Sequence, residues 1–160
     1  MTIQAGDKFP SVTIKEATAE GPRDVDPAAL FAGKRVVLFS VPGAFTPVCS
    51  QQHLPGYVAR RDELAAKGVD IVACLAVNDA HVMRAWAESQ GAFGKVVMLA
   101  DGNAALTKAL GIELDLSGPH MGLRCRRGLI TVKDGVVESV DLEAPGKFEV
   151  SGADACMLKL

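Results

Sequence analysis

The residue types that invite chemistry fall in one stretch, Val41 to Tyr57, which reads VPGAFTPVCSQQHLPGY. Before it, Arg35 to Val41 (RVVLFSV) is a short β-rich apolar run of the kind that forms a buried strand. The run stops at Pro42-Gly43, a strong turn signal, and Thr46-Pro47 then leads into Cys49 in the first turn of a helix. The first N–H groups of a helix have no partner within it, and the helix dipole places partial positive charge there. A thiol at that position is favoured as thiolate, with a pKa below the free value of about 8.5, and thiolate is the form that attacks peroxides and disulfides. Thr46 lies three residues earlier, so its hydroxyl is within reach of the sulfur, or of an oxygen beside it, donating to one and accepting from the other. Pro42 and Pro47 stiffen the loop and shield the sulfur from bulk water. The plainer alternative is a cysteine that only fills space, since free cysteines are usually inert packing.

The other thiols are Cys74, Cys125 and Cys156, with no C-x-x-C pair among the four. That spacing argues against a structural zinc site and against a small disulfide framework. His53, His81 and His120 are far apart and lack ligand spacing, and Gly-rich phosphate loops are absent, so no metal or cofactor is expected. Arg124, Arg126 and Arg127 stand just before a β-type run at Leu129. They read either as a solvated cluster or as a guanidinium beside the thiolate, holding it ionised and stabilising charge on peroxide oxygens. Arg126 has opposite strand parity to Arg127 and is expected to point elsewhere, whereas Cys125 shares that parity and, among cations, is expected to have a lowered pKa.

The elements that must position these groups are legible in outline. After the Arg35 strand, His53 to Lys67 has helical spacing with Gly68 as a stop. Val69 to Val77 is strand-like, Asn78-Asp79 offers an N-cap, and Ala80 to Gln90 reads as a helix. Lys95 to Ala100 is a third strand, and Ala104 to Leu110 a short helix closed by Gly111. Leu129 to Lys133 and Val136 to Asp141 flank Asp134-Gly135, a two-residue hairpin signal, and Ser151 offers a cap for a last helix, Gly152 to Leu160. Alternating β and α runs followed by a hairpin predict an α/β fold in three layers, a mixed central sheet with helices on both faces. A thioredoxin-like domain fits that order, as do other three-layer folds.

A chain of 160 residues with 49% hydrophobic content suits one domain, residues 1–160, with a sizeable core. Seventeen Lys and Arg against nineteen Asp and Glu give a formal charge of −2, with no basic run, which argues against nucleic acid as a partner. No apolar run approaches the roughly 20 residues that cross a bilayer, and the N-terminal residues do not read as a secretory signal. A cytoplasmic protein is the expectation.

The run Pro42-Gly43-Ala44-Phe45-Thr46-Pro47-Val48-Cys49-Ser50 resembles the active-site loop of peroxiredoxins, most closely the type II, or peroxiredoxin-5, subfamily. The family pattern is Pro, three residues, Thr or Ser, two residues, Cys. The likeness continues through His53 to Tyr57, Lys67 to Asp79, Gly94 to Val96 and Leu99 to Asp101, so it touches most of the chain. It implies a thioredoxin-like fold and a thiol peroxidase that reduces hydrogen peroxide and organic hydroperoxides. Cys49 would become a sulfenic acid, with Thr46, Pro42 and Arg127 in the catalytic set and Gly43, Pro47 and Arg124 around the substrate. Arg127 matches the family arginine by its spacing to Val132-Lys133-Asp134-Gly135, with Arg124 as second candidate. Gly128 stands where the family usually has Phe or Tyr, a departure expected to leave a packing gap and weaken the register.

The resemblance also bears on recycling. The resolving cysteine of one branch aligns with Ser151 here, which closes that route. Cys74, 25 residues after Cys49 as in plant-type members, is a candidate resolving thiol, although its place in mid-strand favours a buried structural role. Cys125 is a minor candidate, and Cys156 is expected to pack on a helix face. The expectation is a one-cysteine cycle, with glutaredoxin and glutathione, or thioredoxin, as reductant, in a homodimer. Two alternatives remain at this point: a thioredoxin-like oxidoreductase acting on protein disulfides, disfavoured by the missing C-x-x-C, and a redox-sensing or chaperone-like protein in which Cys49 signals rather than turns over.

Overall fold

A computed structural model describes residues 1–160. The chain opens with a hairpin, β1 (Ile14–Thr18) and β2 (Gly21–Val25), then a short helix α1 (Pro27–Phe31) capped by Asp26, whose carboxylate accepts from the Ala28 N–H. β3 (Arg35–Ser40) carries the chain to the cysteine loop. After it come a π-helical turn (Cys49–His53), α2 (Leu54–Ala59) and α3 (Arg61–Ala66). β4 (Ile71–Ala76), α4 (Ala80–Gln90), β5 (Val97–Ala100) and α5 (Ala105–Leu110) follow. A small ribbon, β6 (Glu113–Leu116) with β7 (Gly122–Cys125), precedes the hairpin β8 (Gly128–Lys133) and β9 (Val136–Leu142), and α6 (Ala153–Lys159) comes last.

Seven strands form one mixed sheet in the order β2-β1-β5-β4-β3-β8-β9. The three central strands, β5, β4 and β3, run parallel, and antiparallel neighbours extend them on both sides. The alternation of a strand's side chains divides the core into two layers. Val37, Phe39, Cys74 and Met98 face α2, α3, α4 and α6 on one side. Val36, Leu38, Ala73, Leu75 and Leu99 face α1 and α5 on the other. β4 is buried at every position because sheet and helices cover it all round, which is why its sequence is a continuous apolar run. This is the expected three-layer, thioredoxin-like α/β architecture.

The departures are local. The helix expected from His53 to Lys67 starts earlier, at Pro47, and breaks at Arg60 between α2 and α3. Gly152, not Ser151, is the N-cap of α6, because the Ser151 hydroxyl is already bonded to Glu143. The Asp134-Gly135 turn is as expected, with φ of 48° and 77°, the pair of positive values that a two-residue turn of matching twist requires. The hairpin before α1 and the β6–β7 ribbon had no clear period in the sequence. β1 carries Lys15 and Glu16 among its apolar residues, and the Glu16 carboxylate is stabilised there by Arg23 from β2.

Candidate active site

The site forms where β3 ends. The Val41 N–H donates to the Leu75 carbonyl, and the chain then leaves the sheet through Pro42-Gly43. The loop is held by the Ala44 N–H, which donates to Asn78 Oδ1 at 2.9 Å, and by the Thr46 hydroxyl, which donates to the Gly43 carbonyl at 2.7 Å. Phe45 between them has φ of 64° and is 55% exposed, a left-handed backbone that a non-glycine residue adopts only when its neighbours fix it. The Thr46 result differs from the expectation. Its single proton is committed to Gly43, so the hydroxyl does not donate to the sulfur, and what it offers a reacting oxygen is its lone pairs.

Cys49 lies in the first turn of the helical run and is fully buried. Arg127 reaches it from 78 residues away: one guanidinium arm, Nη2, donates to Sγ at 3.0 Å. The other arm, Nη1, donates to His53 Nδ1 at 2.8 Å. An arginine only donates, so Nδ1 must accept, and the ring proton therefore sits on Nε2, which donates to the Ser151 carbonyl at 2.9 Å. The Tyr57 hydroxyl donates to the same carbonyl at 2.7 Å. Burial, reinforced by the Arg127 charge, lowers the His53 pKa to about 3, so the ring is neutral as the geometry requires.

Ser151 is fixed in turn by Glu143. The Glu143 carboxylate accepts from the N–H groups of Glu149, Val150 and Ser151 and from the Ser151 hydroxyl. Burial raises its pKa, but these donors outweigh it and hold the group below its usual value. Aromatic rings complete the support. Phe39 stacks on Tyr57 with centroids 4.2 Å apart, and Phe148 stands 4.9 Å from the His53 ring and 5.9 Å from the Arg127 guanidinium carbon.

Pro42 is half-buried, and its carbonyl accepts from Arg124 Nη1 at 3.4 Å, while Arg124 Nε donates to the Met121 carbonyl. Arg124 therefore braces the loop from outside and does not touch the sulfur. A Cβ at Gly43 would crowd the loop, lying 3.0 Å from Arg124 Nη1 and 3.2 Å from Thr46 Cγ2. Pro47 is exposed at the start of the helical run. Arg126 turns away from the sulfur and donates to the Glu143 carbonyl.

All four cysteines are free and buried. Cys74 sits in mid-strand between Phe39 and Met98, and burial pushes its pKa well up. The Cys125 expectation is overturned. β7 ends at Cys125 and β8 starts at Gly128, so strand parity does not carry across to Arg127. Cys125 lies in the opposite core layer, donates to the Val41 carbonyl, and burial raises its pKa to about 12. The gap expected at Gly128 is also absent: a Cβ there would stand 2.6 Å from Leu142 Cδ2 and 3.1 Å from the Asp141 carbonyl oxygen. Leu142 fills the space, and the β3–β8 register is intact up to Ser40 opposite Gly128.

His53, Ser151, Glu143 and Asn78 also belong to the site, although no motif singles them out as site residues. His53 and Tyr57 were the accessible ones, since they follow Cys49 at i+4 and i+8 on one helical stripe.

A thioredoxin-like domain that buries a helix-start cysteine beneath a fixed guanidinium defines a thiol-based redox protein. A family model described as Redoxin matches residues 4–157. Peroxiredoxin-2E-2, chloroplastic, of Oryza sativa subsp. japonica is 52% identical over 163 residues, covering 99% of this chain and 72% of the relative. Peroxiredoxin-2E, chloroplastic, of Arabidopsis thaliana is 45% identical over 157 residues, covering 96% of this chain and 67% of the relative. The crystal structure of reduced Prx3 from Vibrio vulnificus in complex with hydrogen peroxide matches with a TM-score of 0.94 and 49% identity, over 99% of each chain. The chain belongs to the Redoxin family as a peroxiredoxin of the type II kind, a thiol-dependent peroxidase.

Proposed function

We propose that Cys49 is the sulfur that meets the peroxide. The thiolate attacks one peroxide oxygen. An S–O bond forms, the O–O bond breaks, and the leaving oxygen takes a proton and departs as water or alcohol. The sulfur is oxidised by two electrons to a sulfenic acid. An external thiol then displaces water to give a mixed disulfide, and a second thiol releases Cys49. The observation that carries this reading is the Arg127 fork, with Nη2 on Sγ and Nη1 on a neutral, accepting His53. A guanidinium fixed on one side by a neutral partner keeps its charge for the sulfur and for the oxygens that bind beside it. Thr46 accepts from the peroxide, Pro42 walls the site, and Gly43, Pro47 and Arg124 set the loop's shape.

Burial of Cys74, Cys125 and Cys156 and the engagement of Ser151 support a one-cysteine cycle, recycled by glutaredoxin with glutathione or by thioredoxin. Free thiols throughout support a reducing compartment such as the cytoplasm, and no helix is long and apolar enough to cross a membrane. Exposed Phe45 and Leu123 near the loop support a homodimer that covers them.

The test is one equivalent of hydrogen peroxide followed by mass spectrometry, with stopped-flow consumption alongside. One added oxygen on Cys49, gained far faster than a free thiol gains it, is the expected result. Oxidation at another cysteine, or a rate no better than a free thiol's, defeats the assignment.

A further inference from the structure

A cavity of about 140 Å³ has Pro42, Val48, Leu114 and Pro145 in its walls, Val48 being the residue before Cys49. Its lining also includes Arg127, the residue whose guanidinium donates to Sγ. A cavity of about 150 Å³ takes a benzene ring, so this one suits the organic part of a hydroperoxide rather than hydrogen peroxide alone. Two further cations line it, Arg126 and Lys147. Neither forms an ion pair with a carboxylate; Arg126 donates only to the backbone carbonyl of Glu143. The one acid in the wall, Glu143, has its carboxylate engaged by the amides of residues 149–151 and the Ser151 hydroxyl. The cavity is thus an apolar slot joined to the sulfur through Arg127 and Val48, with unpaired positive charge elsewhere in its wall.

We propose that this cavity selects hydroperoxides whose organic group is small, apolar and carries a carboxylate. The apolar body would lie against Pro42, Val48 and Leu114, and the carboxylate would pair with Arg126 and Lys147. This rests on the reading of Cys49 as the peroxide-reducing sulfur and adds the substrate class. The step is unchanged: the peroxide bond breaks, the sulfur gains one oxygen, and the product is the corresponding hydroxy acid. A second source of the same chemistry is a carboxylate on the thiol reductant.

The experiment measures single-turnover oxidation of the reduced protein by 4-hydroperoxy-4-methylpentanoic acid and by its methyl ester, with hydrogen peroxide as a third arm. Partly exposed ion pairs are worth a few-fold each, so the acid should react about fivefold faster than the ester at low salt. The ratio should fall toward one at high salt and in the Arg126→Gln, Lys147→Gln variant. Reading the ratio cancels any general loss of reactivity in that variant. Equal rates for acid and ester in the unaltered protein overturn the proposal, as does a ratio that survives in the double variant. A fourth arm reduces the oxidised protein with glutathione and with glutathione diethyl ester. A carboxylate preference found there, and absent with the peroxides, also overturns it by assigning the cations to the reductant. Failure of hydrogen peroxide to oxidise Cys49 defeats the underlying reading instead.

Discussion

Arg127 stands over Cys49 with Nη2 3.0 Å from Sγ, although the two residues are 78 positions apart and lie on different elements. The contact uses one arm of a planar fork whose other arm is occupied by His53. Arg127→Lys keeps the charge but gives a single point donor, which cannot hold both partners. The expected loss is about 10²–10³-fold in the rate of Cys49 oxidation, the usual cost of removing one fixed donor from a reacting site. Stopped-flow oxidation with an unchanged circular dichroism spectrum checks it; a rate within twofold or so of the original counts against Arg127.

Thr46 is expected to separate by size and by hydroxyl. Its proton goes to Gly43, which leaves its lone pairs to accept from a peroxide in the proposed reaction. Thr46→Ser keeps both roles, and Thr46→Val loses them. A hydrogen bond to a charged or reacting group is worth about 1.5–3 kcal/mol, so the valine variant should be slower by about 10- to 100-fold and the serine variant close to unaltered. Equal rates for the two variants would leave the hydroxyl without a part in the reaction.

Acid should loosen the fold through His53. Burial and Arg127 lower its pKa to about 3 in the folded chain, against an ordinary value of 6.5. The unfolded chain therefore binds the extra proton first. Stability from this residue is complete above pH 6.5 and is lost as pH falls toward 3, at up to about 1.4 kcal/mol per pH unit. Glu143, held below its usual value, adds a loss of the same sign at the acid end of that window. Urea unfolding between pH 7 and 5 isolates the histidine. His53→Gln should be flatter with pH over that interval, and an equally steep curve in the variant would remove the histidine as its cause.

Cys74, Cys125 and Cys156 are buried and free, so replacing them tests the one-cysteine cycle directly. Alanine is the right choice, because serine would bury three new hydroxyls. The triple alanine variant should turn over with glutaredoxin and glutathione or with thioredoxin, while losing about 1 kcal/mol of stability at each site. Retained first-step oxidation with abolished turnover would show that one of the three resolves the sulfenic acid.

Gly128→Ala should destabilise the chain by about 1–3 kcal/mol, since the added methyl meets Leu142 at 2.6 Å and overpacks a filled layer. A lower urea midpoint with an unchanged slope is the expected measurement. A midpoint equal to the original would mean that Leu142 moves aside at no cost.

The fold was readable where period and turn chemistry agree. β3, β4, α4 and the Asp134-Gly135 hairpin lie close to the limits that their apolar runs and caps predict. The β1–β2 hairpin was hidden because its exposed positions are charged and Gly21-Pro22-Arg23-Asp24 has no strand signature. In the site, Cys49 and its loop were visible because Pro, Gly, Thr and Cys at fixed spacing have local meaning. Arg127 needed the resemblance, and its neighbours Ser151 and Glu143 act through a backbone carbonyl and backbone amides. Sequence patterns do not report where a carbonyl points. Cys125 went astray for a related reason, since parity arguments hold only within one unbroken strand.

The Ser151 carbonyl, which accepts from both His53 and Tyr57, has a consequence for biosynthesis. The arginine fork is aligned only when that carbonyl is in place, and so only after translation has passed residue 151 and the segment has docked. Until then neither His53 nor Tyr57 has its acceptor, and the arm of Arg127 that rests on His53 has no fixed partner.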